Sequence, residues 1–542
     1  MRSLHNLPFL LAASLAFADS TFKSRPDLAP PTLNITIPYI SPSDEGYLFV
    51  APFCGFPNCY NRGPAQAAPY ILTDTGDLVW SGFAYFSIWA ANFQAARWKG
   101  QDVLFSFEGS HNGPHGHGHG HHTILDNRYE NIREIRAGGH LISDKHEFII
   151  INESSALIQI YHPTQQDLRP YGGNGKQTWI VDAIFQELDI ETGAVLFEWH
   201  SLDHVSPDET KLPLPLGQAG IAYNSSTAWD YFHINSITKA DDGNYLLSAR
   251  HASTIFKING TDGSVIWRLG GKRSNFVLGP EVEFGFQHHA RYLPGGNETV
   301  DLISLFDNSV YCSESADEDK EVRIYPYSRG KYIAIDHISK IATLVKAFHP
   351  PDNNILTKSQ GSLQTLPSGN VLINWGSEGQ ITEYTPDGTP IFHAHLDSGL
   401  LGINVQNYRA FRYPWTGSSP ETPAVYAEKD DRDSTLSVYV SWNGDTRTKL
   451  WRFTLIRTND FGNQAVIQKD APRRGFETAL KIALEPNKAS QYSVSAEAID
   501  ERGRAIGRTD FVIARSPLSE VESGRAAFIP DGQIVVTTSD LR

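Results

Sequence analysis

Short runs of Ile, Val, Leu, Tyr and Phe alternate with polar residues along most of this chain and stop at Gly, Asn or Asp. A period of two bounded by turn residues marks half-buried β-strands, and helical periodicity is scarce. One arrangement recurs: a polar start, a hairpin turn, a strand, a second turn, then a strand ending near Trp or another aromatic. Its clearest copy is HINSITKADDGNYLLSARHASTIFKINGTDGSVIWRLGG at 233–271, with turns at Asp242-Gly243 and Asp262-Gly263. Partial copies lie at 70–82, 186–200 and 364–396. Four-stranded antiparallel units cannot bury both faces alone, and stacking them around an axis does so. The pattern therefore predicts an all-β chain built as a six-bladed β-propeller. Six blades over about residues 40–418 would average roughly 60 residues, above the ~40–45 of compact blades, so the surplus is expected in loops.

The texture changes at PWTGSSPETP (414–423), a Pro/Ser/Gly-rich stretch that reads as a linker. Beyond it STLSVYVSWNG, KLWRFTLIR, GFETALKIAL, YSVSAEAID and DFVIAR are short strands at near-regular spacing. They predict a small C-terminal β-sandwich of the immunoglobulin or fibronectin III kind over 424–515, with 516–542 as a tail. At the other end, MRSLHNLPFLLAASLAFADS carries Arg2, an apolar run Leu7–Phe17 and the small-x-small pattern Ala16-Phe17-Ala18. Residues 1–18 read as a secretory signal, with the propeller domain over 19–418. The apolar run is too short to span a bilayer comfortably. The mature protein is therefore expected to be extracellular, with no membrane partner.

Composition narrows the partners. The 542 residues are 40% hydrophobic and 20% charged, enough to bury a core. A net charge of −15 argues against nucleic acid, whose phosphates need an excess of Lys and Arg. It leaves a small anionic substrate open, since a few cations at one site suffice. Of three cysteines, Cys54 and Cys59 flank a turn-like GFPN, and a local disulfide there suits an oxidising compartment. Cys312 has no basic neighbours in SVYCSES to make it a nucleophile. Sequons at Asn34, Asn152, Asn224, Asn259 and Asn297 fit a glycoprotein on a secretory route.

Histidine carries the candidate chemistry. HNGPHGHGHGHH (111–122) holds six histidines spaced mostly by glycine. Such a tract can bind metal loosely, but a catalytic site needs ligands held in fixed geometry, so a flexible surface loop is the expectation. Three other segments place histidine at the start of a strand: DKHEFIII (His146), WDYFHINSI (His233) and FGFQHHARY (His288, His289). In a propeller the innermost strands line a central channel, where such residues converge. His233 and Asn235, two apart, are expected on one face. His288 and His289 must face opposite ways, one into the channel and one between blades.

The ordered series DYFHINSI, YLLSARH, VIWRLGG and FQHHAR, with HEFIIINESSALIQIY before it and YRAFRYPW (408–415) after it, resembles the fungal-type branch of the arylsulfotransferase family. The resemblance covers about residues 140–415. It implies a six-bladed propeller that moves a sulfuryl group between phenolic compounds by ping-pong chemistry, through a sulfohistidine and without the nucleotide sulfate donor. On that resemblance His288 matches the nucleophile, His233 and Asn235 the His-x-Asn pair, and Arg250 the arginine after the following strand. His146 matches the earliest histidine, although His-Glu stands here in place of the bacterial His-Asp. The chemistry suits these residue types. A neutral imidazole is a good nucleophile. Arg250 can hold the sulfuryl oxygens in a fork, Asn235 can add a hydrogen bond, and His233 or His146 can protonate the leaving oxygen. The expected partner is a small phenol or aryl sulfate, with no cofactor and no metal. Lys272 and Arg273, in WRLGGKRSNF, read as solvated surface charge rather than an anion-steering pair. Other readings stay open: a non-catalytic ligand-binding propeller, a family member recruited to another reaction on aromatic natural products, or a metal-dependent hydrolase with His146, His233 and His288 as ligands.

Overall fold

Alternation becomes antiparallel sheet nearly throughout. The structure is a computed structural model and describes residues 21–40, 44–55, 63–86, 89–113, 115–217, 219–312, 321–396, 405–430, 432–459, 461–484 and 490–516. The expected signal at 1–18, Cys59 with its expected disulfide, and the tail beyond 516 lie outside the described residues. Within 233–271, the strands Ile234–Lys239, Tyr245–Ala249, Thr254–Ile258 and Val265–Gly270 form one sheet in sequence order. Gly243 and Gly263 take φ of +82° and +76° in the connecting turns, the left-handed conformations that tight hairpins require.

Among the described residues the same up-and-down order recurs in four further sheets. They run from Trp89–Trp98 to Asn131–Ile135, from Phe148–Ile151 to Val195–His200, from His288–Tyr292 to Ile341–Phe348, and from Ser362–Thr365 to Pro390–Leu396. A sixth sheet, Tyr47–Val50, Tyr70–Leu72 and Leu78–Ser81, takes its fourth strand, Phe411–Tyr413, from far along the chain. Both faces of a sheet are buried. Tyr245, Leu247 and Phe256 pack with Phe185 and Trp199 of the preceding sheet. Their neighbours Leu246 and Ile255 pack with Ile303, Leu305 and Ile333 of the next. Period-two alternation thus feeds two cores at once, and each fully buried Leu or Ile contributes about 1.5–3 kcal/mol.

The first strands of the sheets meet through polar groups. Ala290 N–H donates to Ser236 Oγ at 3.0 Å, and Gln159 Nε2 to the Ile234 carbonyl at 2.8 Å. The Glu147 carboxylate, fully buried, takes Arg409 and Arg291 at 2.8 Å each and the Ile237 N–H at 3.2 Å. Arg409 in turn donates to the Asn235 carbonyl at 2.8 Å and to Asn92 Oδ1 at 3.2 Å.

Two compact units divide the chain: one runs to Glu421 and regains Trp442–Arg447, and the other holds Thr422–Ser441 and the chain from Thr448. In the second, Thr435–Ser441 pairs with Ala424–Asp430 and Glu477–Ala483, and Leu450–Asn459 pairs with Gln464–Pro472 and Ser490–Ile499. Alternation buries Leu436, Val438 and Val440 in one sheet and Trp451, Phe453 and Leu455 in the other. The stretch 414–423, expected as a linker, is packed into the first unit as far as Glu421. Trp415 is buried and donates its indole N–H to Tyr129 Oη at 3.0 Å. Pro, Ser and Gly mark turns, and the aromatic among them decides that this turn is anchored. Among the described residues no helix is long and apolar enough to cross a membrane.

Candidate active site

A cavity of about 350 Å³ opens where these strand starts converge, and His146, His233, Arg250 and His288 all line it. His146 stands two residues before the strand Phe148–Ile151, His233 immediately precedes Ile234–Lys239, and His288 begins its own. Lys145, Asp230, His251, Gln360 and Tyr408 complete much of the wall.

The ring of His288 is oriented by Asn308, whose Oδ1 lies 2.7 Å from Nδ1. That oxygen's identity follows from the other side of the amide. Asn308 Nδ2 donates to the carbonyls of Thr357 at 2.8 Å and Gln360 at 3.1 Å. Nδ1 therefore carries the proton, and the Nε2 lone pair accepts the Gln360 backbone N–H at 3.2 Å. Burial pushes the His288 imidazolium well below the usual histidine range. The Arg250 cation adds to this and the Asn308 bond opposes it. The ring is neutral at pH 7. Its neighbour His289 turns away, with Nδ1 2.9 Å from the Leu363 carbonyl and the ring against Phe411. A positive φ of 54° at His289 and a register shift after His288 mark a bulge that separates the two rings.

Across the cavity, Asp144 accepts from the Nδ1 of His146, and Lys145 Nζ stands 3.3 Å from its Nε2. The Glu147 that replaces the aspartate of the bacterial pattern is committed to Arg409 and Arg291, so Asp144 supplies the carboxylate. Lys145 also donates to the Gly116 carbonyl. Burial brings its ammonium down to about 8; Asp144 opposes this and Arg250 adds to it. His233 places Nδ1 2.5 Å from Asp230 Oδ2, and burial, opposed by Asp230, drives it to about 3. The Arg250 guanidinium lies 4.1 Å over the Phe286 ring and donates to the Lys358 carbonyl at 3.2 Å.

Three expectations need correction. His233 and Asn235 do not share a face. His233 has φ +57° and precedes the strand, and a register shift follows between Ile234 and Ser236, so period-two counting does not apply. Asn235 is off the cavity wall; its Nδ2 donates to the Gln287 carbonyl at 2.7 Å and braces the residue before His288. The second correction concerns the histidine tract, which is no flexible surface loop. It spans the hairpin Gln101–Asn112 to His117–Leu125, and His111 and His115 line the cavity. His117 stacks on Tyr161 at 4.0 Å and reaches Asp230 Oδ2 with Nε2 at 2.8 Å. The glycines are there for close packing: a Cβ on Gly120 would overlap the Glu108 carbonyl oxygen, and one on Gly109 that of His119. Gly120→Ala is expected to destabilise the protein by about 1–3 kcal/mol, read as a lower thermal midpoint. An unchanged midpoint would mean the hairpin is not packed as described. Third, the metal-ligand reading with His146, His233 and His288 has no geometric support: among the described residues, neither His146 nor His288 belongs to a cluster of three ligand atoms within 4.8 Å of one another. Lys272 and Arg273 stay off the cavity wall; Arg273 is 57% exposed and 3.8 Å from Glu209. The residues that sequence reading missed had local signals. Asp144 and Asp230 stand two and three positions before His146 and His233, and His251 follows Arg250.

Comparison with known proteins gives one family. The arylsulfotransferase (ASST) model matches residues 94–397, a span that holds all four cavity residues named first above. No curated protein matches the chain. Among solved structures, a protein of unknown function from Bacteroides caccae is 11% identical, covering 68% of this chain and 99% of that one at a TM-score of 0.37. Hydrazine synthase of Kuenenia stuttgartiensis is 10% identical, covering 75% of this chain and 91% of that one at 0.32. The GH43 protein BlXynB from Bacillus licheniformis is 11% identical, covering 78% and 89% at 0.28. The family match spans more than half of the sequence and encloses the converging histidines, and this chain belongs to the arylsulfotransferase family.

Proposed function

We propose that the cavity carries a sulfuryl group between phenolic compounds, with His288 Nε2 as its temporary holder. The observation that carries this reading is the lone pair of a neutral, oriented imidazole in a wall that also holds Arg250 and Lys145. In the first half-reaction Nε2 attacks sulfur and the S–O bond to the aryl group breaks. The departing phenolate takes a proton from the Lys145 ammonium. The Gln360 N–H, which Nε2 accepts in the resting site, passes from Nε2 to a sulfuryl oxygen as the bond forms; Arg250 holds the other sulfuryl oxygens, and Asn308 Oδ1 accepts from Nδ1–H as the ring becomes cationic. In the second half-reaction an acceptor phenol returns its proton to Lys145, its oxygen attacks sulfur, and the N–S bond breaks back to the imidazole.

The six sheets, the first of which is closed by Phe411–Tyr413, are read as the six blades of a propeller with this cavity at one end of its axis. We further propose that the protein is secreted and glycosylated. Exposure of Asn34, Asn152, Asn224 and Asn297 supports this, with Asn259 half-buried.

Brief incubation with 4-nitrophenyl sulfate followed by intact-mass spectrometry and peptide mapping tests the reading. An acid-labile gain of one sulfuryl group on His288 is expected. Turnover without any adduct on this peptide would refute the covalent route. The pH profile tests the proton donor. The histidines titrate too low to matter, so the rate should stay flat through the ordinary histidine range near pH 6.5. Lys145 is cationic below about 8 and loses its proton above it, so the rate should fall as pH rises through that value. Lys145→Met should abolish this alkaline limb. A limb that survives in that variant would remove Lys145 from the role.

A further inference from the structure

One cluster at the edge of the cavity, where Asp230 and His233 line the wall, is not used by the transfer steps. There His117, Asp230 and His233 offer Nε2, a carboxylate oxygen and Nδ1 within 4.8 Å of one another. Their side chains are 12%, 4% and 5% exposed. The three come from two distant places in the chain, the histidine tract and the segment before the strand Ile234–Lys239. We propose that they form a binding site for one borderline divalent ion of the zinc class, and that delivering His117 to Asp230 is the purpose of the tract.

Four observations carry this. The donor set of two imidazoles and a carboxylate is one that zinc takes at about 2.0–2.2 Å, with a fourth position left for water or another ligand. Asp230 Oδ1 is buried and has no hydrogen-bond partner among the described residues, although Oδ2 takes both histidines. A buried carboxylate oxygen without a donor is a standing cost that a cation removes. Outer contacts already hold the ligands. His117 is stacked on Tyr161, Tyr161 Oη donates to the Ile234 carbonyl at 2.5 Å, and His251 Nδ1 lies 2.6 Å from the Asp230 carbonyl. Finally, the ligand atoms already converge, with His117 Nε2 and His233 Nδ1 lying 2.8 and 2.5 Å from Asp230 Oδ2.

The rest of the tract supplies the control. His119 is exposed and bears no such partners, so a site belonging to the tract at large would use it as readily as His117. The full chain, made without a polyhistidine tag and stripped with chelator, is titrated with Co²⁺ by visible absorption and with Zn²⁺ by equilibrium dialysis. One equivalent is expected to bind, with the absorption of a low-coordinate cobalt centre. His117→Ala and Asp230→Asn should each weaken binding at least about tenfold, with His119→Ala within about twofold of the native chain. Circular dichroism checks folding, and His117→Gln repeats the test if the alanine variant misfolds. No saturable binding below roughly 100 µM overturns the site. So does affinity that survives both His117 and Asp230 changes, or that is lost with His119. The readout is metal occupancy, so failure of the transfer chemistry leaves it intact.

Discussion

The His288→Ala protein is expected to turn over 4-nitrophenyl sulfate at least about 10³-fold more slowly than the native chain and to acquire no sulfuryl group. The expectation rests on geometry. Nδ1 is spent on Asn308 and Nε2 carries the lone pair, so deleting the ring removes the bond-forming atom itself. Asn308→Ala separates orientation from nucleophilicity. It leaves the attacking ring in place but frees its tautomer, and should cost about 10²-fold in kcat while the adduct still forms on His288. Native-like turnover in His288→Ala would end the covalent reading and favour a cavity that binds without transfer, or one recruited to other chemistry.

Arg409→Met is expected to destabilise the first unit by about 3–5 kcal/mol, lowering the thermal midpoint by about 5 °C or more. Arg409 and Glu147 are both fully buried, and Arg409 links Glu147, Asn235 and Asn92, three of the places where first strands meet. Removing it leaves a buried carboxylate with Arg291 as its remaining cation and takes a donor from the Asn235 carbonyl. Loss of one partner of a buried pair costs more than the pair contributes, because desolvation has already been paid at both ends. A midpoint shift of less than about 1 °C would show that the cluster fills space rather than tying strands together. Glu147→Gln, which keeps shape and hydrogen bonds, should fall between.

Much of this was legible in the chain itself. Period-two alternation with Gly at hairpin turns determines an all-β molecule, because it leaves each strand with two apolar faces or one and no helical stripe to bury. The series of histidine and arginine motifs marked four residues that do line one cavity. What the sequence could not supply was every feature that depends on where a strand begins and what comes to meet it. His233 and Asn235 look like a facing pair until a positive φ and a bulge part them. The histidine tract has the composition of a loose loop. Its glycines pack backbone against backbone, and Tyr161 captures His117 from 44 positions later. Asn308, Asp144 and Asp230 are ordinary polar residues in a string, and only their approach to an imidazole nitrogen gives them a role. Alternation is a local property, written by hydrophobic burial along a single strand. Convergence is not, since it is set by register, bulges and hydrogen bonds between segments tens to hundreds of residues apart, and tertiary structure alone decides it.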